Sequence, residues 1–583
     1  MSFSRPKMAT FLRSTCFFLL FFAANCTPPE DPIKCSSKNT FCTITNSYGI
    51  FPDRSTCRAA SVVYPNTEQD LISIVANATK TKTKMKVATR FSHSIPKLVC
   101  PDGQNGLLIS TKYLNKTLSI DRQFMTMTIE SGVTLRQLIN QAAEFGLALP
   151  YAPYWWGLTA GGLLGTGAHG STLWGKGSAV HDYVVGLSII SPGSAEEGYV
   201  KVRRLDDNNS DEFNAVKVSL GVLGVISQVT LQLQPMFKRS ITYIEKNDTD
   251  FGDQVATFGK QHEFADFSWY PSQGKVVYRV DDRVSTSTSG NGLYDYIPFR
   301  TTASVELALL RSTEETQESL RDATGKCISG KLITSTLLSS ANGLTNNGII
   351  FTGYPVIGYQ NRVQSSGTCL DSLADALITA CPWDHRVKGE FFFQSTISVS
   401  LSVAKSFIQD VQKLVKLAPK SLCGVDLYNG FLMRYVTASS AYLGKQEDAI
   451  DFDITYYRSK DPSTPRLYED ILEEIEQLAV FKYGGLPHWG KNRNVAFDGA
   501  IKKYKKAANF LSVMKKYDPL ALFSNEWTDQ ILGLSSNVAI LKDGCALEGL
   551  CICSQDSHCA PSKGYYCRPG KVYDDARVCT LVT

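Results

Sequence analysis

The sequence predicts an α+β protein of more than one domain, and three observations carry that prediction. Its 583 residues exceed what one ordinary hydrophobic core organises. Within residues 58–236, short Val- and Ile-rich strands are interleaved with amphipathic helices rather than gathered into blocks. The last stretch, 541–583, holds Cys545, Cys551, Cys553, Cys559, Cys567 and Cys579 among aromatic, Gly and Pro residues, as a small disulfide-stapled module would. Zinc is the competing reading of that tail, but Cys-x-Cys and the wide gaps fit no common zinc spacing. No metal site is expected.

Residues 1–26 read as a secretory signal peptide. Arg5, Lys7 and Arg13 precede an apolar run at 16–24 that is too short to span a bilayer, and small residues lead to Pro28-Pro29. Removing it takes three cations and no acid, so the net charge of +5 becomes +2. A nearly neutral chain gives no reason to expect nucleic acid or an acidic partner. No other stretch is long and apolar enough for a transmembrane segment. Asn77, Asn115, Asn208 and Asn247 head glycosylation sequons. A secreted, extracellular protein is expected.

In chain order, residues 27–57 are polar and carry Cys35, Cys42 and Cys57, an arm pinned by disulfides rather than a packed element. Helices are expected over 69–77, 133–145 and 211–220, and strands over 85–89, 107–110, 125–130, 183–190 and 222–233. Residues 238–461 hold long strand-like stretches. Residues 467–481 then form an amphipathic helix, with Leu467, Ile471, Ile475 and Leu478 on one face and five acids on the others. The acids read as a solvated face, as do Lys502, Lys503, Lys505, Lys506, Lys515 and Lys516 downstream.

The chemistry centres on residues 159–171, TAGGLLGTGAHGS. Gly161, Gly162, Gly165, Gly167 and Gly170 supply no core side chains. They suit either a buried tight turn or a backbone that brings N–H groups close to an anion. Of the seven histidines, His93 sits in the turn Arg90-Phe91-Ser92-His93-Ser94, His169 lies in the glycine run, and His488 precedes Trp489 and Lys491. His93, His169 and His181 lack the paired spacing of a zinc site. No Gly-x-Ser-x-Gly elbow and no Rossmann fingerprint opening a βαβ unit is present.

The runs VATRFSHSIPKLVCPDG, SGVTLRQLI, AGGLLGTGAHGST and SLGVLGVISQVTLQL resemble the FAD-binding domain of the vanillyl-alcohol-oxidase-type (PCMH-type) flavoproteins. DFDITYYR, TPRLYEDILEEIE and GGLPHWGKN resemble the C-terminal region of the aldonolactone oxidoreductases. The most specific part is His-Trp-Gly-Lys after Gly-Gly-x-Pro. Signal peptide and cysteine-rich tail lie outside the shared region and are similar to those of plant gulonolactone-oxidase-like proteins. The resemblance implies a two-part FAD-binding domain at 58–236. It also implies an α+β substrate (cap) domain at 237–540, whose C-terminal segment returns to the first.

It further implies roles. The turn Arg90, Phe91, Ser92, His93 and Ser94 would wrap the FAD pyrophosphate, with His93 bonded covalently to the flavin 8α-methyl group. Gly161, Gly162, Gly165, Gly167, Ala168, His169, Gly170 and His488 would contact the cofactor, while the isoalloxazine does the hydride chemistry. Arg434 and Lys491 would be catalytic, steadying negative charge on reduced flavin and lactone. Two departures stand out. The family's Glu-x-Arg pair becomes Leu432-Met433-Arg434, and its glycines before the histidine become Arg90-Phe91-Ser92. A buried arginine without its carboxylate is costly unless flavin or substrate supplies countercharge. Trp155 and Trp156 either flank the flavin or pack.

The expectation is a secreted FAD-dependent oxidoreductase that oxidises an aldonolactone, L-gulono-1,4-lactone, at C2, with electrons passing to O2 or another acceptor. The rivals are a flavoprotein acting on another sugar and a non-catalytic protein making a cell-wall or carbohydrate contact through the tail.

Overall fold

The computed structural model describes residues 30–91, 94–102, 104–387 and 392–582. The signal peptide, Ser92 and His93 lie outside the described residues.

The first sheet contains β1 (Ile33–Ser37), β2 (Thr40–Ile44), β3 (Cys57–Val63), β4 (Met85–Ala88) and β5 (Leu107–Ser110), in the order β1-β2-β3-β5-β4. The helix α1 (Glu68–Lys80) connects β3 to β4, and its N-terminus is closed by a reciprocal Thr67–Asp70 capping box. The polar N-terminal arm is thus more than a pinned strap. It forms a hairpin that extends the sheet, with Cys35 and Cys42 as disulfide-bonded register partners. Its alternation was hidden by polar composition: Ile33, Cys42 and Ile44 are buried with Phe51 and Val62.

The second sheet is antiparallel. Its strands are β6 (Thr117–Asp121), β7 (Thr126–Glu130), β8 (Val184–Pro192), β9 (Val200–Asp206) and β10 (Val225–Gln232), in the order β9-β8-β10-β7-β6. Helix α2 (Leu135–Glu144) buries Leu135, Leu138, Ile139 and Ala142, the face its periodicity predicts. The glycine run folds in part into a short helix, α3 (Ala160–Gly165). Helix α4 (Ser210–Val216) stops four residues before its pattern suggests, and beyond it Leu220 and Gly221 take φ of 52° and 66°.

An eight-stranded sheet faces these two. Its members are β11 (Lys238–Asn247), β12 (Asp266–Tyr270), β13 (Lys275–Val284), β14 (Val356–Tyr359), β15 (Phe392–Ser400), β16 (Phe431–Val436), β17 (Ala449–Tyr457) and β18 (Leu486–Pro487). Their order is β14-β11-β13-β12-β16-β17-β15-β18. Along β16 and β17 the two-residue period sorts the side chains. Phe431, Met433, Tyr435, Ile450, Phe452 and Ile454 enter an apolar core on one face. Leu432, Arg434, Asp453 and Thr455 line a cleft on the other. Downstream, Phe510, Tyr517 and Trp527 join the same core as Met127, Leu138 and Val229, so the chain returns to the glycine-rich half.

The acid-rich helix corrects its sequence reading. In α5 (Glu469–Gln477), Glu469, Asp470, Glu473, Glu474 and Glu476 are all buried rather than solvated. The cysteine-rich tail covers them. Glu474 accepts from the N–H groups of Lys571, Val572 and Tyr573 at 2.7, 2.7 and 2.8 Å, and Glu473 from that of Cys579 at 2.7 Å. Glu476 pairs with Arg493 on the inner side. The tail is stapled by Cys545–Cys551, Cys553–Cys567 and Cys559–Cys579. Lys503 also departs from the solvated reading. It is half-buried and donates to the carbonyls of Val480 and Gly485 at 2.7 and 2.9 Å.

Candidate active site

Between the two halves lies a cleft of about 520 Å³, the size of a small-molecule site. One wall comes from β4, the segment after β7, and α3; the other comes from β15, β16, β17 and the loop after β18. Phe91, Ser94, Gly161, Gly162, Gly165, Ala168, His169, Arg434, His488 and Lys491 all line it. Three residues expected at the cofactor lie off it. Arg90 sets its guanidinium 5.0 Å over the Phe91 ring. Gly167, with φ of 69°, faces a separate small cavity. Gly170 abuts the Ala152 backbone, where a Cβ would come within 3.0 Å. Trp155 lines the cleft while packing edge-on against Trp383 at 4.5 Å.

The glycine-rich wall fits a large polar cofactor. At Gly165 a Cβ would meet no atom within 4 Å, so its α-carbon borders open space. The hydroxyls of Ser131 and Thr159, beside Gly161 and Gly162, are buried without a partner among the described residues. Unmatched donors beside small residues suit pyrophosphate oxygens. Sequence reasoning missed Ser131 and Thr159, as it did Gly221 and Gly224, although all lie within or beside the quoted motifs. A side chain at Gly165 should therefore exclude the cofactor and spare the fold. Gly165→Leu is expected to express and melt normally but to retain at most about a tenth of the wild-type flavin, as the absorbance of the purified protein would read.

The opposite wall is held by one loop. His488 N–H donates to Thr396 O at 2.9 Å, and Asn492, at φ of 81°, ties Thr396 and His488 together through its side-chain amide. Trp489 anchors the loop from behind: it donates to Leu443 O at 2.9 Å and stacks on Tyr504 and Phe497. This leaves Lys491 facing the cleft. Its ammonium lies 2.5 Å from Asp453, and burial lowers its pKa against that carboxylate. Arg434 donates to His169 O at 3.1 Å, and its Nη2 stands 3.5 Å from Asp453. The missing carboxylate at Leu432 is thus made good by Asp453. Its sequence signal is the Asp451-x-Asp453 pair within an apolar strand.

Burial holds His488 and His169, the two histidines that line the cleft, toward the neutral form. Burial, reinforced by Lys491, holds His488 well below the usual imidazole range. Its Nδ1 accepts from Gly490 N–H at 3.0 Å, so the proton rests on Nε2. Burial likewise lowers His169, opposed by Asp451, whose Oδ2 is 2.7 Å from its Nε2.

A glycine-lined cofactor groove facing an Arg–Lys–carboxylate cluster defines an FAD-dependent oxidoreductase acting on CH–OH groups. Comparisons with known proteins agree. Residues 59–195 match an FAD binding domain, 385–531 a D-arabinono-1,4-lactone oxidase model, and 542–581 the C-terminal domain of L-gulonolactone oxidase 2-like proteins. Probable L-gulonolactone oxidase 6 of Arabidopsis thaliana is 68% identical, over 97% of this chain and 94% of its own. L-gulonolactone oxidase 2 of the same plant is 66% identical, over 99% and 98%. A solvent-stable cholesterol oxidase, 16% identical, shares the fold with a TM-score of 0.64 over 88% of this chain and 99% of its own. The chain belongs to the L-gulonolactone oxidase family, in the aldonolactone branch of the vanillyl-alcohol-oxidase-type flavoproteins. The non-catalytic reading is thereby set aside.

Proposed function

We propose that this protein is a secreted oxidase of L-gulono-1,4-lactone, removing the hydrogens of the C2 carbinol to give a product that rearranges to ascorbate. The observation that carries the reading is the pair of buried Arg434 and half-buried Lys491 on one side of a cleft whose other side fits FAD. When bound, FAD would supply the hydride acceptor at N5, with O2 (giving H2O2) or another acceptor as the final oxidant. Arg434 and Lys491 bind the lactone and steady negative charge as it develops on oxygen. Neutral His488, which carries its proton on Nε2, orients cofactor or substrate without adding charge. His93 is proposed as the covalent attachment of the flavin.

Secretion is supported by the N-terminal pattern, by fourteen cysteines joined in seven disulfides, and by the exposure of Asn77, Asn115, Asn208 and Asn247. Among the described residues, no helix is long and apolar enough to cross a membrane. A cell-wall contact, if the tail makes one, falls to the face turned away from α5.

An absorbance spectrum of the purified protein, before and after denaturation and filtration, tests the cofactor reading. Flavin bands are expected to stay with the chain and to wash away from denatured His93→Ala. Adding L-gulono-1,4-lactone without oxygen should bleach them. Flavin released from the wild type rejects the covalent bond, and flavin left unbleached by this lactone rejects the substrate.

A further inference from the structure

Arg434 and Lys491 place two cations on one wall, and Leu432 supplies no carboxylate to offset them. The sheet register does. β16 pairs with β17 so that Leu432 stands opposite Asp453, and Arg434 opposite Asp451. Directly opposed residues carry their side chains on the same face, with Cβ atoms about 4.5–5.5 Å apart. A carboxylate at 453 therefore reaches nearly the same part of the cleft as one at 432 would.

The two aspartates differ in what they have left to offer. Asp451 is fully buried, committed to His169 at 2.7 Å and to the Ser398 hydroxyl, and it does not line the cleft. Asp453 lines it, together with Gln394, Thr455 and Lys491. Its Oδ2 serves Lys491 at 2.5 Å and Arg434 at 3.5 Å, while Oδ1 accepts from Gln394 Nε2 at 3.0 Å. Gln394 is itself held by the Tyr48 hydroxyl, which donates to its Oε1 at 2.8 Å. A carboxylate offers about four lone-pair sites. Three are engaged, which leaves one on Oδ1.

We propose that Asp453 receives a non-reacting hydroxyl of the sugar lactone, with Lys491 and Gln394 fixing its orientation, and so sets substrate specificity. The inference rests on the aldonolactone reading and deepens it. A substrate without that hydroxyl would cover a charged acceptor and leave it unmatched, which a site of this kind rejects strongly.

The test pairs enzyme variants with substrate variants. Flavin-loaded wild type, Asp453→Asn and Asp453→Asn/Leu432→Glu are assayed on L-gulono-1,4-lactone and on analogues deoxygenated singly at carbons other than C2. Wild type is expected to lose about 10- to 100-fold in kcat/KM on one analogue. Asp453→Asn should lose a similar factor on the parent lactone and under about threefold more on that analogue. Adding Leu432→Glu should restore about tenfold on the parent. Gln394→Met, a milder change, should raise KM with kcat unchanged. If Asp453→Asn penalises every analogue as wild type does, or leaves the parent unaffected, Asp453 is not the hydroxyl acceptor. A wild type that oxidises another sugar but no aldonolactone overturns the substrate reading instead, and the same deoxy comparison on that sugar then decides Asp453.

Discussion

Replacing Arg434 by Met should lower kcat about 10²- to 10³-fold while leaving the flavin bound, the scale seen when one preorganised charge-stabilising donor is lost. Arg434 reaches the cleft from a rigid strand. Its Nη1 is fixed by His169 O at 3.1 Å, and its Nε has no partner among the described residues. A guanidinium held this way requires no reorganisation as negative charge develops beside it. Anaerobic stopped-flow reduction separates this role from binding: the rate at saturating lactone should fall, with flavin content and melting temperature near wild type. A variant that instead emerges without flavin and melts early would make Arg434 a structural cation. Lys491→Met should show a smaller loss with a higher KM, because Asp453 shares its charge.

Deleting residues 541–583 should destabilise the protein by roughly 5 kcal/mol or more, comparable to a whole domain's net stability. The reason lies in α5. Three backbone N–H groups of the tail satisfy Glu474 and a fourth donates to Glu473, while Glu548 of the tail pairs with Arg54 and Arg458. Each charge-assisted hydrogen bond contributes about 1.5–3 kcal/mol, and a buried carboxylate stripped of donors pays its full desolvation. The truncated chain should fail to accumulate as soluble protein. Glu474→Ala, which leaves three tail N–H groups unmatched, should lower the melting temperature by several degrees with kcat unchanged. Gly570→Ala should act in the same direction, since a Cβ there would meet the Glu474 carboxyl at 2.7 Å. A truncated protein that melts with the full chain would return the tail to the role of a detachable binding module.

Much of the fold was legible because its signals are local. The strands around β4, β5 and β7 and the helices α1 and α2 fall within a few residues of where periodicity places them. The GGLPHWGKN run pointed to Lys491 and His488, and the glycine run to one wall of the cleft. The N-terminal hairpin escaped notice because Ser, Thr and Lys occupy its exposed positions and mask the alternation beneath.

By itself, then, the sequence determined the order of elements, the oxidative chemistry and the disulfide-stapled tail. The first and last rest on spacing within one segment or on composition, and the chemistry on what the motifs' resemblance to a flavoprotein family implies; none needs knowledge of neighbours. Tertiary structure alone decided three things: that Asp453 stands across from Leu432, that the acids of α5 are buried, and that Gly167 and Gly170 turn from the cleft. Each depends on which distant segment lies alongside. A carboxylate on a strand or helix reads the same in sequence whether water, a cation or a backbone N–H will meet it, and only the packed chain chooses among them.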